Sequence, residues 1–193
     1  MKCLCAAMLP LVLTLCGCLS PKLGKVWVHP GIQEYQVAKI QVFPFEDRVR
    51  SKKPLLSEDS EMVTCSIESA LDRAGITVLP REKLDTLVAE KNLVMTEVSE
   101  EQGLELAKEL GADTVVYGLL TVFEIGDCKD AESAVGFVLK GVKADGWTDL
   151  FRGGIERRSA EPDRCAAEIL AAQGANDLVA KLVAGGIGPT NEL

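Results

Sequence analysis

Three cysteines in the body of the chain, one histidine and three pairs of adjacent acids are the side chains whose types could carry chemistry. The sequence holds seven cysteines, but Cys3, Cys5, Cys16 and Cys18 crowd the N-terminus, leaving Cys65, Cys128 and Cys165. An odd number cannot pair fully within one chain, and spacing does not say which two would form a single bridge. No basic cluster flanks any of the three, so at least one buried thiol acting as a small hydrophobe is expected, not a nucleophile. His29 is the sole histidine, which excludes a histidine-rich metal site and makes a Ser-His-Asp or Cys-His arrangement depend on one residue near the start of the chain. It is expected to be solvated. The acid pairs are Glu46-Asp47, Glu58-Asp59 and Glu100-Glu101. Neighbours on a strand point to opposite faces, and the last two pairs suit helix N-termini, where acids meet the positive end of the dipole. A two-carboxylate hydrolase is therefore the least favoured reading. The sequence contains no CxxC, no HExxH and no phosphate-loop spacing, and Gly185-Gly186-Ile187-Gly188 follows a helical pattern instead of opening one. The sequence thus predicts no catalytic residue, no cofactor site and no metal ligand.

A more specific chemistry belongs to Cys18. Lys2 gives a positive start, and Leu4 to Leu15 form an apolar run broken by Pro10, too short for the roughly 20 residues that span a bilayer. Small Gly17 before Cys18 completes the cleavage region of a secretory signal. The run Leu15-Cys16-Gly17-Cys18 looks like a bacterial lipobox, with cleavage between Gly17 and Cys18 and acylation of Cys18. Cys16 is the competing position, but it would put bulky Leu15 where a small residue belongs. Each buried methylene contributes about 0.8 kcal/mol of membrane affinity, so several acyl chains on one residue make a lasting anchor. Leu19 follows; by resemblance to lipoprotein sorting in double-membrane bacteria, a residue other than Asp there implies an outer-membrane, periplasm-facing protein.

A formal net charge of −8 over 193 residues argues against nucleic-acid binding and against a polybasic membrane patch, both of which need an excess of cations. The length suits one compact domain. Residues 1–17 read as the signal peptide, 18–36 as a lipidated tether, 37–186 as the domain and 187–193 as a tail. A fully extended tether would reach about 60 Å. Within it, Val26-Trp27-Val28 is either an edge strand docked on the domain or an aromatic contact with the membrane interface; docking is the favoured alternative.

The domain begins with a strand over Val37–Phe45, where Ala38, Ile40 and Val42 alternate with Lys39 and Gln41. Ser57 is a candidate N-cap for a helix carrying Val63, Ile67, Ala70 and Ala74 and stopped by Gly75. A short strand follows over Ile76–Leu79, and Pro80 opens a second helix with Leu84, Leu87 and Val88 inward. Ser99 and Gln102 have capping-box spacing for a third helix ending at Gly111. Thr114–Phe123 is nearly unbroken apolar sequence, the pattern of a central strand covered on both faces. Two further strands, Ala134–Asp145 and Leu150–Arg158, flank the turn Asp145-Gly146-Trp147-Thr148-Asp149, and Pro162–Ala184 is a terminal helix. The order β-α-β-α-α-β-β-β-α predicts an α/β domain, one mixed sheet packed with helices, following a cleaved signal peptide.

Four stretches carry a family resemblance: Ile40-Gln41-Val42-Phe43-Pro44-Phe45-Glu46-Asp47, Val78-Leu79-Pro80-Arg81-Glu82-Lys83-Leu84, Leu110-Gly111-Ala112-Asp113 leading to Tyr117-Gly118, and Ala175-Asn176-Asp177-Leu178. In order and spacing they resemble the CsgG-type bacterial envelope lipoproteins, which include curli-secretion channels and LpoB-like activators of cell-wall synthases. The family's Asp-x-x-Thr-Gly turn is matched at Asp145 and Thr148, while Asp149 replaces the glycine, so Gly146 is expected to supply a positive φ instead. A channel subunit needs lipid-facing strands of about 9–11 residues, yet the 46–56 connector is charged, the 124–133 loop is short and polar, and the strands between 134 and 158 carry Lys140, Lys143 and Arg152. The resemblance therefore implies a non-enzymatic, membrane-anchored adaptor or assembly factor in envelope biogenesis or secretion. It would bind envelope proteins or further copies of itself. The alternative it implies is an outer-membrane activator of a peptidoglycan synthase.

Overall fold

The structure, a computed structural model, describes residues 22–35, 37–49, 57–126, 132–161 and 163–188. The leader with Gly17 and Cys18, Cys128, the side chain of Ser57 and most of the 187–193 tail lie outside the described residues. The elements are β1 (Lys22–Leu23), β2 (Trp27–Val28), β3 (Lys39–Val42), β4 (Glu46–Asp47), α1 (Ser57–Arg73), β5 (Thr77–Val78), α2 (Arg81–Glu90), α3 (Glu100–Leu110), β6 (Thr114–Glu124), β7 (Ser133–Lys143), β8 (Asp149–Ser159) and α4 (Arg164–Ala184). From β3 onward they follow the expected order, with β4 as an extra short pairing.

One mixed sheet joins all eight strands in the order β1-β8-β7-β6-β3-β5, with β2 also on β8 and β4 also on β6. The pairings of β3 with β5 and β6, and of β4 with β6, are parallel. The helices between those strands supply the crossover that parallel pairing needs. The β6-β7-β8 meander is antiparallel. Alternation sends Val116, Leu120, Phe137, Leu139, Phe151 and Ile155 to one face, where they join the inward residues of α1 and α4 in the main core. A second, smaller core forms where α2 and α3 cover one end of the opposite face, meeting Phe43, Val115 and Val142. Among the described residues no helix covers the rest of that face.

Local sequence explains the ends of the elements. Ser99 and Gln102 form the reciprocal capping box at the start of α3, and Gly111 ends it in the left-handed region at φ 78°. Asp163 caps α4 by accepting a hydrogen bond from the Ala166 amide.

Three sequence expectations need correction. Residues 22–34 are not a free tether: β1 pairs with Glu156 and Ile155, β2 pairs with Arg152 and Phe151, and a 3₁₀ turn covers Ile32–Glu34. Val26-Trp27-Val28 thus takes the docked alternative. At the β7–β8 turn the positive φ, 58°, falls on Trp147 and not on Gly146. Finally, β6 is covered on both faces over Thr114–Val116, but from Tyr117 onward alternate residues emerge onto the open face.

Candidate functional site

The family-like motifs of the sequence turn out to hold the fold together. A Cβ built on Gly118 would lie 2.2 Å from the Phe45 ring, so glycine at that position lets Phe45 pack across the sheet against Phe137. Phe43 lies tilted against Tyr117 at 5.3 Å between ring centroids. Asp113 Oδ2 accepts hydrogen bonds from the Ala38 and Lys39 amides at 3.1 and 2.8 Å, tying the end of α3 to the start of β3. Asn176 accepts from Arg73, linking α4 to α1 at 2.7 Å, and Asp177 pairs with Arg157 on β8. Tyr117 and Gly118 also line the open face of the sheet; the others meet neighbours within the molecule, not a shared reaction space.

The candidate reactive groups are also dispersed. Glu58 and Asp59 both reach Arg164, at 3.4 and 3.1 Å, and join α1 to α4. Asp47 accepts from the Val49 amide at 2.8 Å. His29 is not freely solvated as expected; its Nδ1 accepts from the Gly31 amide at 3.0 Å, and its ring sits edge-on to Trp27 and Tyr35. Cys65 and Cys165 are free and exposed; of the three body cysteines, Cys128 lies outside the described residues. Partial desolvation of its thiol, then Glu68 and Glu61, push Cys65 above its ordinary value, which keeps it protonated and a poor nucleophile at neutral pH. Among the described residues no group of three or more His, Cys, Asp or Glu is placed to hold a metal ion, and no helix is long and apolar enough to cross a membrane.

The open end of the sheet forms a trough of about 610 Å³. Its floor is the outward residues of the meander: Tyr117 and Leu119 from β6, Val138 and Lys140 from β7, and Arg152 from β8. Register makes this a single surface, because Tyr117 lies opposite Lys140, Leu119 opposite Val138, and Lys140 opposite Arg152. One wall is the loop between β1 and β2, where Gly24 donates to the Gly154 carbonyl at 2.9 Å and Lys25 stands at the rim. The other wall is β4, with Glu46 and then Arg48. The Tyr117 hydroxyl donates to the Glu100 carbonyl at 2.9 Å. Burial, and secondly the Glu100 carboxylate, raise its pKa well above the ordinary 10, so it serves as a fixed neutral donor.

Charge here runs against the whole molecule. Lys25, Arg48, Lys140 and Arg152 outnumber Glu46 and Glu100 in the lining, although the chain carries −8. Lys140 is bound to Glu100 and lies 5.5 Å from the centre of the Tyr117 ring. Arg48 pairs with Glu46 at 3.4 Å with both side chains mostly exposed, and Arg152 pairs with Asp149 just outside the trough. Lys25 has no ion pair among the described residues. Sequence reasoning noticed Lys140 and Arg152 only as residues unfit for a lipid-facing strand. Their alternate spacing on two antiparallel strands was the available signal; the arrival of Lys25 and Arg48 depends on β1, β2 and β4, which are two-residue pairings with no periodicity to read.

No family model matches the chain, and no characterised protein matches it by sequence. Solved structures do match. Lipoprotein GNA1162 from Neisseria meningitidis has a TM-score of 0.56 at 17% identity, over 77% of this chain and 99% of that one. The PelC dodecamer from Paraburkholderia phytofirmans gives 0.53 at 15% identity, over 80% and 96%. The LpoB C-terminal domain from Salmonella enterica gives 0.49 at 13%, over 64% and 84%. At these identities the first two likenesses establish a shared fold, including the mixed sheet and its helical cover.

Proposed function

We propose that this chain is a non-enzymatic, lipid-anchored adaptor or assembly factor of the bacterial envelope, acylated on Cys18 after cleavage behind Gly17 and facing the periplasm from the outer membrane. The observation that carries the reading is the seat of β1 and β2 on the edge of the sheet. Four peptide steps separate Cys18 from Lys22, a span of at most about 14 Å. An acylated Cys18 therefore holds the domain against its own membrane, where it meets neighbours lying in or beside that membrane. The same geometry weighs against the peptidoglycan-synthase activator, which would have to reach across the periplasm from the outer membrane to its partner. The dispersal of the paired acids among helix starts and ion pairs favours binding over hydrolysis. The fold shared with a lipoprotein, GNA1162, and with the PelC dodecamer supports an envelope setting and an assembly of several copies.

The test is made on protein extracted from membranes. Its N-terminal peptide should begin at Cys18 and carry acyl chains by mass spectrometry, and Cys18→Ala should lose both the modification and stable membrane retention. Cross-linking in cells should then give discrete products with copies of itself or with envelope proteins. An unmodified, freely soluble monomer that cross-links to nothing would remove the proposal.

A further inference from the structure

The cationic trough is unused by anything above, and its position relative to the anchor gives it a meaning. We propose that it binds the phosphate head of one anionic membrane phospholipid at a time; the inference rests on the Cys18 anchor reading for the ligand's proximity, not for the site's chemistry. Three observations converge on that ligand.

The first is charge. Four cations against two carboxylates line the trough, so the site favours an anion even though the whole chain repels one. This is a local site and not a polybasic patch, which agrees with the absence of any cationic excess in the sequence. Among the described residues Lys25 has no ion pair to give up. The Arg48–Glu46 and Arg152–Asp149 pairs lie at the solvent-facing surface, where water weakens ion pairing, so a phosphate can recruit either guanidinium at little cost, bidentately if the approach is planar.

The second is shape. About 610 Å³ falls within the roughly 300–1,000 Å³ typical of small-ligand sites, and beneath the cations lie Leu119 and Val138, the latter 39% exposed. A charged head at the rim and methylenes on an apolar floor describe an amphiphile better than a free inorganic ion.

The third is position. Gly24 and Lys25 belong both to the trough and to the segment that leads back to Cys18. Acyl chains on Cys18 would therefore hold the trough's rim within a short span of the headgroup layer. An acidic peptide from a partner protein shares the charge but brings no acyl methylenes to cover the Leu119 and Val138 floor.

Native mass spectrometry of the mature protein in neutral detergent tests this, with dioleoylphosphatidylglycerol, dioleoylphosphatidylcholine, inorganic phosphate and hexaglutamate as separate probes. The phosphatidylglycerol adduct should exceed the phosphatidylcholine adduct by at least tenfold, with at most weak adducts of phosphate or hexaglutamate. Lys25→Glu and Arg152→Glu, both at exposed side chains, should each cut the phosphatidylglycerol adduct about tenfold while leaving the circular dichroism spectrum unchanged. Equal binding of the two lipids, or undiminished binding by both variants, overturns the proposal. So does a preference for hexaglutamate, which marks a peptide site, or for phosphate, which marks a free-anion site. The mass of the unliganded protein reports acylation in the same spectrum, so failure of the anchor reading and failure of the lipid site are told apart.

Discussion

Replacing Gly118 by alanine should strongly destabilise the sheet. The added Cβ would lie 2.2, 2.2 and 2.4 Å from three atoms of the Phe45 ring, far inside the distance that non-bonded carbons keep. Phe45 is 4% exposed and wedged against Phe137, so the ring has no open direction in which to yield. If strands shift to absorb the clash, overpacking costs about 1–3 kcal/mol. If the ring leaves its place, the cost approaches the roughly 3–5 kcal/mol of deleting a buried Phe. A loss of about 3 kcal/mol is the expected outcome, a fall in Tm of about 6–12 °C for a domain of this size. Urea unfolding followed by far-ultraviolet circular dichroism measures it, with an unchanged m value showing that the native state remains compact. The ring is the stated cause, so shortening it should help: Phe45→Leu combined with Gly118→Ala should be more stable than the sum of the single changes by about 0.5–3 kcal/mol. A Gly118→Ala variant within about 0.5 kcal/mol of the parent, or strict additivity in the double variant, would refute the argument.

Asp113→Ala removes an acceptor shared by the Ala38 and Lys39 amides; hydrogen bonds to a charged group contribute about 1.5–3 kcal/mol, and hydrogen exchange at those two amides should accelerate. Ser99→Ala breaks the capping box of α3 and should lower the urea midpoint by the equivalent of about 1 kcal/mol. Tyr117 binds its proton more tightly folded than unfolded, because burial raises its pKa, so stability should fall as pH rises above 10, where the unfolded tyrosine ionises. The Cys65 thiol, raised from 9.0 by burial, adds a loss of the same sign beginning nearer pH 9. Tyr117→Phe should flatten the part above pH 10 while costing about 1 kcal/mol at neutral pH for the lost hydrogen bond to Glu100.

The elements that were legible in the sequence are those with their own punctuation or period. Gly75 and Gly111 stop helices in the left-handed region, Ser99 and Gln102 announce one, and the apolar run from Thr114 marks the central strand. What escaped was pairing without a pattern. Two-residue strands such as β1, β2 and β4 are defined by their partners on β8 and β6, and no alternation can be read over two residues. Reading residues 18–36 as a tether therefore missed how early the chain joins the sheet. The turn at Trp147 escaped for a related reason: its positive φ of 58° is imposed by the β7–β8 hairpin, against the local preference for glycine at Gly146.

The same distinction separates the fold from the site. The motifs that suggested a family are answered inside the molecule: Gly118 makes room for Phe45, Asp113 holds the start of β3, and Asp177 meets Arg157. Such residues specify one sheet with its helices, and they would do so whatever that sheet went on to bind. The open face carries the opposite kind of information. Lys25, Arg48, Lys140 and Arg152 come from four separate strands or loops, contribute little to the core, and could change without loss of the fold. A protein of this architecture can therefore keep its framework while altering its ligand through a handful of outward positions. Swapping those four side chains should change what is bound far more than it changes the unfolding midpoint, whereas Gly118 and Asp113 should do the reverse.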